Sequence, residues 1–119
     1  MKDKINVLGT EYHIMLKSDE EVAKDMLCNV GECGGYCSST EKLIVIAMLD
    51  QLHGENEESK EYLKKWNMRH EITHAFLNES GLSENASEAK CWAKNEEMVD
   101  WFAIQSPKIY KVFAELDIL

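Results

Sequence analysis

The sequence predicts an α+β fold in a single domain that covers residues 1–119. The length of 119 residues is that of one domain, and neither a repeat nor a Pro/Gly-rich linker divides it. Short runs rich in β-branched and aromatic residues, separated by turn residues, fill much of the first half. The second half carries longer stretches with helix-capping residues at their starts. With 45% hydrophobic residues, the chain has enough apolar side chains for one core.

The first elements are predicted to be a β-hairpin and a short helix. Ile5–Leu8 and Glu11–Lys17 have the β-branched and aromatic character of strands, and Gly9–Thr10 between them is typical of a turn. The next segment, Glu20–Leu27, is predicted to be helical, with its N-cap supplied by one residue of the pair Ser18–Asp19.

A second hairpin is predicted around the turn at residues 39–41. Its strands are Tyr36–Ser38 and Lys42–Met48, and the latter is the most strongly β-forming run in the chain. Because this run is almost continuously apolar, we expect it either to be covered on both faces or to have a partner on one of them.

The first long helix is predicted to begin at Asn56 or Ser59 and to run to about Glu79. Both starting residues are good N-caps, and Ser80–Gly81 stops the helix. Acidic residues cluster near its start and basic residues come later, which suits the helix dipole.

A last helix is predicted to begin between residues 83 and 87 and to run to about Ala103. Pro107 is expected to end or bend it, because proline lacks the backbone N–H that a helix interior uses. Lys108–Leu116 would then continue as a helical tail.

The charge balance excludes two classes of partner. Thirteen Lys and Arg against 22 Asp and Glu give a net charge of -9, whereas nucleic acids and anionic membranes attract basic surfaces.

The longest apolar run, Leu43–Leu49, has seven residues, too few to cross a bilayer. The N-terminus lacks the apolar core of a signal peptide, so the expected location is the cytoplasm.

The four cysteines are expected to be free, reduced thiols, as is usual in the cytoplasm. Their spacing differs from the paired C-x2-C pattern of zinc knuckles. A disulfide and a second metal site remain open as alternatives. The residues are Cys28, Cys33, Cys37 and Cys91.

One motif carries chemistry. Residues 70–74 are His-Glu-Ile-Thr-His, the pattern H-E-x-x-H, and they fall inside the first long helix. Residues four apart lie on one helix face, so His70 and His74 are placed to bind one zinc ion. Glu71, one step round the helix, is placed to accept a proton from water at the open position of the metal.

A catalytic zinc ion needs a third protein ligand. Leu77 and Ser80 occupy the glycine and third-histidine positions of the longer H-E-x-x-H-x-x-G-x-x-H pattern, so we expect a carboxylate from the last helix. Glu96 lies on the apolar face of that helix and Glu97 on a more polar one, which favours Glu96 over Glu97. Asp100, four residues beyond Glu96, is expected to accept a hydrogen bond from a ligand imidazole.

Several other residues have weaker interpretations. His13 and His53 are expected to be surface or hydrogen-bonded histidines, and Trp66, one turn before His70, to pack in the core. Three tyrosines could stabilise a tetrahedral intermediate, and the sequence does not select among Tyr36, Tyr62 and Tyr110.

The segment His70–Leu77, followed by N-E-x-x-x-D at Asn95–Asp100, resembles the zincin metallopeptidases of the gluzincin type. The small size and order of elements resemble the ImmA/IrrE-type and SprT-like proteins, especially short prophage-encoded ones. The resemblance implies a minimal zincin fold: a small, mainly antiparallel sheet packed on the H-E-x-x-H helix, then a ligand-bearing C-terminal helix. It also implies zinc as cofactor, Glu96 as third ligand and Asp100 as support for a ligand histidine.

The expected function is that of a zinc metallopeptidase, an endopeptidase acting on a peptide or protein substrate. An edge strand, Lys42–Met48, is expected to hold the extended substrate by β-augmentation. Two alternatives stay open: a zinc-binding prophage or host interaction protein without turnover, and a metal-free helical interaction module. The sequence does not predict the oligomeric state.

Overall fold

A computed structural model describes residues 3–52, 54, 56–85 and 96–119. Within these residues the chain is α+β, as predicted, with one mixed four-stranded sheet of order β1-β2-β4-β3. The strands are β1 (Lys4–Val7), β2 (Thr10–Lys17), β3 (Gly35–Ser38) and β4 (Leu43–Ala47). The helices are α1 (Asp19–Met26), α2 (Glu57–Glu79), α3 (Leu82–Asn85) and α4 (Glu96–Glu115).

Both predicted hairpins are present. β1 pairs antiparallel with β2 through a turn at Leu8 and Gly9, where both residues have positive φ and the Asn6 side chain accepts a 2.8 Å hydrogen bond from the Gly9 amide. β3 likewise pairs antiparallel with β4, with Cys37 opposite Ile44. The first turn lies one residue earlier than the predicted Gly9–Thr10, because Leu8 is in the turn and Thr10 already pairs with Val7.

The pairing of β2 with β4 is parallel and makes β4 a central strand. β4 is covered on both faces: Ile44 and Ile46 pack toward α2, while Val45 and Ala47 pack with Val22 of α1. The expectation that Lys42–Met48 is an edge strand is therefore wrong. The most apolar strand gains most from burial on both faces and both edges, which leaves β1 and β3 at the edges.

Helix α2 begins where its cap predicts and packs one face on the sheet. The Asn56 side chain accepts a 2.8 Å hydrogen bond from the Ser59 amide, so Asn56 is the N-cap. The buried face of α2 packs between the sheet and α4, and its apolar members are Met68, Ile72, Ala75 and Phe76.

A polar cluster fixes the end of α2 to the sheet. Glu79 accepts hydrogen bonds from the Tyr12 hydroxyl and the Lys42 ammonium, each at 2.7 Å, and from the Thr10 hydroxyl at 3.1 Å. These donors, Lys42 first, hold the pKa of the Glu79 carboxyl below its usual value. Because Tyr12 is fully buried, Glu79 satisfies a hydroxyl that would otherwise lack a partner there.

Helix α4 continues through Pro107, so the proline does not end it near Ala103, and the segment after it is helical to Glu115, as predicted for Lys108–Leu116. Residues on the C-terminal side of the proline, including Ile109 and Val112, are buried against α2, and this packing keeps the segment helical. At the other end, the Trp101 indole donates a 2.8 Å hydrogen bond to the Ser80 hydroxyl just after α2. No helix in the described part of the chain is long and apolar enough to cross a membrane.

The expectation of four free thiols is also wrong, because Cys28 and Cys33 form a disulfide. Leu27 adopts a left-handed conformation that ends α1, and the Glu32 amide donates to the Asn29 carbonyl at 3.1 Å. This local turn brings the two cysteine Cα atoms to 6.8 Å, a proximity that spacing alone does not reveal. Cys37 is a free, half-buried thiol, and Cys91 lies outside the described residues.

Candidate active site

The two histidines of the motif converge on the exposed side of α2. The Nε2 atoms of His70 and His74 are 3.2 Å apart, and their ring centroids are separated by 4.8 Å. Both side chains remain accessible to solvent, although the helix that carries them is anchored in the core. The four-residue spacing therefore has the outcome that helix geometry predicts.

The separation of the two nitrogens fits ligands of one metal ion. Ligands about 2.0–2.1 Å from a tetrahedral zinc ion lie about 3.3–3.4 Å from each other. The observed 3.2 Å between the Nε2 atoms is close to that distance. Partial burial of His74, together with the nearby His70, lowers the pKa of the His74 imidazole and so favours the neutral form that binds metals.

Glu71 lies in a different environment from the histidines that flank it. It is buried, with 8% of its surface exposed, and its Oε1 atom is 3.9 Å from the His70 Nε2 atom. Burial raises the pKa of the Glu71 carboxyl, and His70 partly opposes this effect. A carboxylate with a raised pKa, beside two potential metal ligands, suits a group that accepts and returns a proton.

Edge strand β3 forms the other wall of the site. A Cβ at Gly34, just before the strand, would overlap the Asn67 side chain of α2, so a glycine permits this close approach. Further along, the Asn78 amide contacts the Cys37 sulfur at 3.9 Å. Burial, and then the charge of nearby Glu71, raises the pKa of the Cys37 thiol to about 11, so Cys37 stays protonated at neutral pH. Sequence reasoning missed Cys37, because only the folding of β3 onto α2 brings it beside the motif.

The side chain of the predicted third ligand, Glu96, is not among the described residues. The structure describes α4 from Glu96 onward, but the side chain of Asp100 is likewise not among those described. Glu97 is exposed, in agreement with its place on the more polar face. Among the described residues, no group of three or more His, Cys, Asp or Glu side chains is placed to hold a metal ion. The hydrogen bond from Trp101 to Ser80 places the start of α4 near the C-terminal end of α2, about one and a half turns from Glu96.

Trp66 belongs to the site rather than to the core. Its side chain is 51% exposed, and its ring stacks on the His70 imidazole with centroids 5.8 Å apart and an interplanar angle of 29°. The expectation of core packing is therefore wrong, because the position one turn before His70 shares the exposed side of α2.

The remaining candidate residues are three tyrosines and two histidines, and none of them is shown to contact the histidine pair in the described part of the chain. The Tyr36 hydroxyl donates a 2.7 Å hydrogen bond to Asp25, and the residue packs with the cluster on the α1 side of the sheet. His13 is exposed beside Glu11 on β2, and His53 lies outside the described residues. Tyr62 and Tyr110 are both exposed.

Comparison of the chain with protein-family models, curated proteins and solved structures finds no match.

Proposed function

We propose that the protein is a zinc metallopeptidase built on a minimal zincin arrangement. The observation that supports this most strongly is the convergence of the His70 and His74 Nε2 atoms to 3.2 Å beside a buried carboxyl, Glu71. A purely structural zinc site is closed by four protein ligands and has no use for a base, whereas this group has the composition of an open one.

In the proposed reaction each residue has a distinct role. His70, His74 and Glu96 hold the zinc ion, which, when bound, lowers the pKa of water to about 7 and polarises a carbonyl. Glu71 accepts the proton of the attacking water and then donates it to the leaving amine. Burial raises the pKa of the Glu71 carboxyl, which favours its uptake of that proton. Asp100 orients a ligand imidazole by accepting a hydrogen bond from the N–H of the ring nitrogen that does not bind the metal.

The substrate is proposed to bind along β3 instead of β4. β4 is paired on both sides, whereas among the described residues β3 has no strand on its outer side, where an extended peptide could pair. β3 also lies against α2 at Gly34 and Cys37, so a peptide added to this edge would pass close to Glu71 and the histidines.

Metal analysis tests the ligand set. The purified wild type is expected to bind one zinc per chain, and His74→Ala to lose it. Glu96→Ala should weaken binding far more than Glu97→Ala, and Asp100→Ala by about 10- to 100-fold, as for other residues that support a ligand. A well-folded wild type that takes up no added zinc would refute the proposal, and greater loss in Glu97→Ala would reverse the ligand assignment.

Turnover is tested with Glu71→Gln, which preserves size and removes the base. The variant should bind zinc as the wild type does and lose cleavage of a peptide library by about 10²- to 10⁴-fold. Identical cleavage patterns from both proteins would assign the activity to a contaminant. If neither cleaves and both retain the same bound protein, the interaction-protein alternative replaces the peptidase.

A further inference from the structure

An exposed aromatic row extends from the histidine pair toward the N-terminus of α2. Tyr62 and Trp66 are 65% and 51% exposed, and they lie two turns and one turn before His70, respectively. The Trp66 ring already stacks on His70. The row is therefore continuous with the candidate active site and presents two large aromatic faces to solvent.

A hollow lies at the far end of this row. It has a volume of about 410 Å³ and is lined by Glu58, Ser59, Tyr62 and Leu63. Its walls combine an aromatic ring and an aliphatic side chain with one carboxylate. The hollow therefore offers both apolar surface and negative charge.

The Glu58 carboxylate has no cationic partner among the described residues. The nearby ammonium groups of Lys60 and Lys64 pair instead with Glu57 at 3.5 Å and Glu61 at 3.1 Å. On the other side of Tyr62, the Arg69 guanidinium donates to the Ile118 carbonyl at 2.7 Å. The charge of Glu58 is thus unpaired within the described part of the chain, although the neighbouring groove that it shares with Tyr62 is also lined by Lys65. The net charge of the chain is -9.

We infer that this hollow binds a lysine or arginine side chain of the peptide substrate. The aliphatic stem would lie on Leu63 and Tyr62, and the cationic end would reach the Tyr62 ring face and the Glu58 carboxylate. Tyr62 lies eight residues, or about 12 Å along the helix, before His70. An extended peptide rises about 3.3 Å per residue, so the basic residue would lie about three or four positions from the cleaved bond. This inference rests on the proposed function, because it names a side chain of the same substrate.

Binding can be measured without turnover. The Glu71→Gln variant, with zinc and with a chelator, is titrated by fluorescence polarisation with labelled peptides. Each peptide carries lysine, or its uncharged analogue norleucine, at one position, and the positions tested extend up to four residues from the central residue of the peptide. We expect a preference for lysine at one position, reduced about two- to fivefold by Glu58→Gln and likewise by Tyr62→Ala. Added salt should weaken the preference further. Glu20→Gln on α1 and Ile104→Ala on α4 are exposed controls for the charge and for the apolar surface, and should leave it unchanged.

The outcomes separate this inference from the proposed function. Zinc binding and cleavage without any lysine preference would overturn the basic-residue site and leave the peptidase intact. A lysine preference that depends on Glu58 and Tyr62 in a protein that binds no zinc would support the site and refute the peptidase. Equal effects of the control variants, or the absence of peptide binding, would also overturn the inference.

Discussion

Replacing Glu71 with glutamine is expected to stabilise the metal-free protein. Glu71 is 8% exposed and accepts no hydrogen bond from the described residues, so its charge keeps only a small contact with water and has little other compensation. The nearest cationic candidate, the His70 ring, is 3.9 Å away and itself half exposed. Glutamine keeps the shape of the side chain and removes the buried charge.

The size of the effect follows from this burial. An uncompensated buried polar group costs about 1–3 kcal/mol, and more when it is charged. Because the Glu71 side chain retains 11% exposure and lies near His70, we expect a gain of about 1–2 kcal/mol for the glutamine variant. With an unfolding entropy of about 2.1 cal/mol/K per residue, a chain of 119 residues should gain about 4–8 °C in Tm.

The pH dependence has a definite sign. The folded pKa of Glu71 is raised above its unfolded value, so ionisation destabilises the folded wild type. The advantage of the variant should be absent below the unfolded pKa, grow as the pH rises from there through the raised folded pKa, and be complete above it. Below this window both proteins carry a neutral side chain at residue 71 and should melt alike.

Thermal unfolding by circular dichroism, with a chelator present, measures the difference. Glu20→Gln removes an exposed charge and is the matched control, with an expected change within about 0.5 kcal/mol. A Glu71→Gln variant that melts below the wild type at neutral pH would refute the argument, because it would mean that the carboxylate makes a stabilising contact.

Three further predictions concern other parts of the molecule. Glu79→Ala should lower stability by about 2–3 kcal/mol in urea titrations, because it leaves a buried hydroxyl and an ammonium unpaired. Since the folded pKa of Glu79 is depressed, the stability it contributes is present above its unfolded pKa and lost as the pH falls through the folded one. Alkylation at pH 8 without reductant, followed by peptide mass mapping, should leave Cys28 and Cys33 unmodified and should label Cys37 slowly until the protein is unfolded. Rapid labelling of Cys28 and Cys33 in the native protein would contradict the disulfide. Pro107→Ala restores a backbone donor within α4 and should raise the free energy of unfolding by about 1–2 kcal/mol in urea titrations. A loss of stability would show that the proline ring makes essential contacts.

The elements that sequence predicted best depend on local signals. Gly9 marks the first hairpin turn and Asn56 caps α2, because both act on backbone groups within three residues. The parallel pairing of β2 with β4 joins residues about 30 positions apart, such as Ile14 and Ile44, and no local pattern encodes it. The continuity of α4 through Pro107, instead of an end there, likewise depends on tertiary packing, which outweighs the local cost of proline.

The candidate site also contains residues whose positions follow from local spacing and residues whose positions depend on tertiary packing. His70, Glu71 and His74 share one helix, so their spacing alone predicts the relative positions of their side chains. Cys37 comes from β3, and its approach depends on how closely that strand packs against α2. The exposure of Trp66 was also unpredictable from its type, because an aromatic residue on an amphipathic helix is usually part of the core.

The contrast between adjacent residues of α2 explains how one helix can serve both the core and a reaction. Successive residues are rotated by about 100°, so His70 and His74 reach solvent while Glu71 turns toward β3. The absence of a side chain at Gly34 lets α2 approach the strand, and Glu79 fixes the end of the helix to the sheet. A looser contact between α2 and β3 would hydrate Glu71 and return its pKa toward the ordinary value. The spacing of the two histidines would remain, because it depends on the helix alone. In the proposed mechanism, metal binding and proton transfer would therefore depend on different parts of the fold. A variant that loosens the contact between α2 and β3 should then lose turnover before it loses zinc.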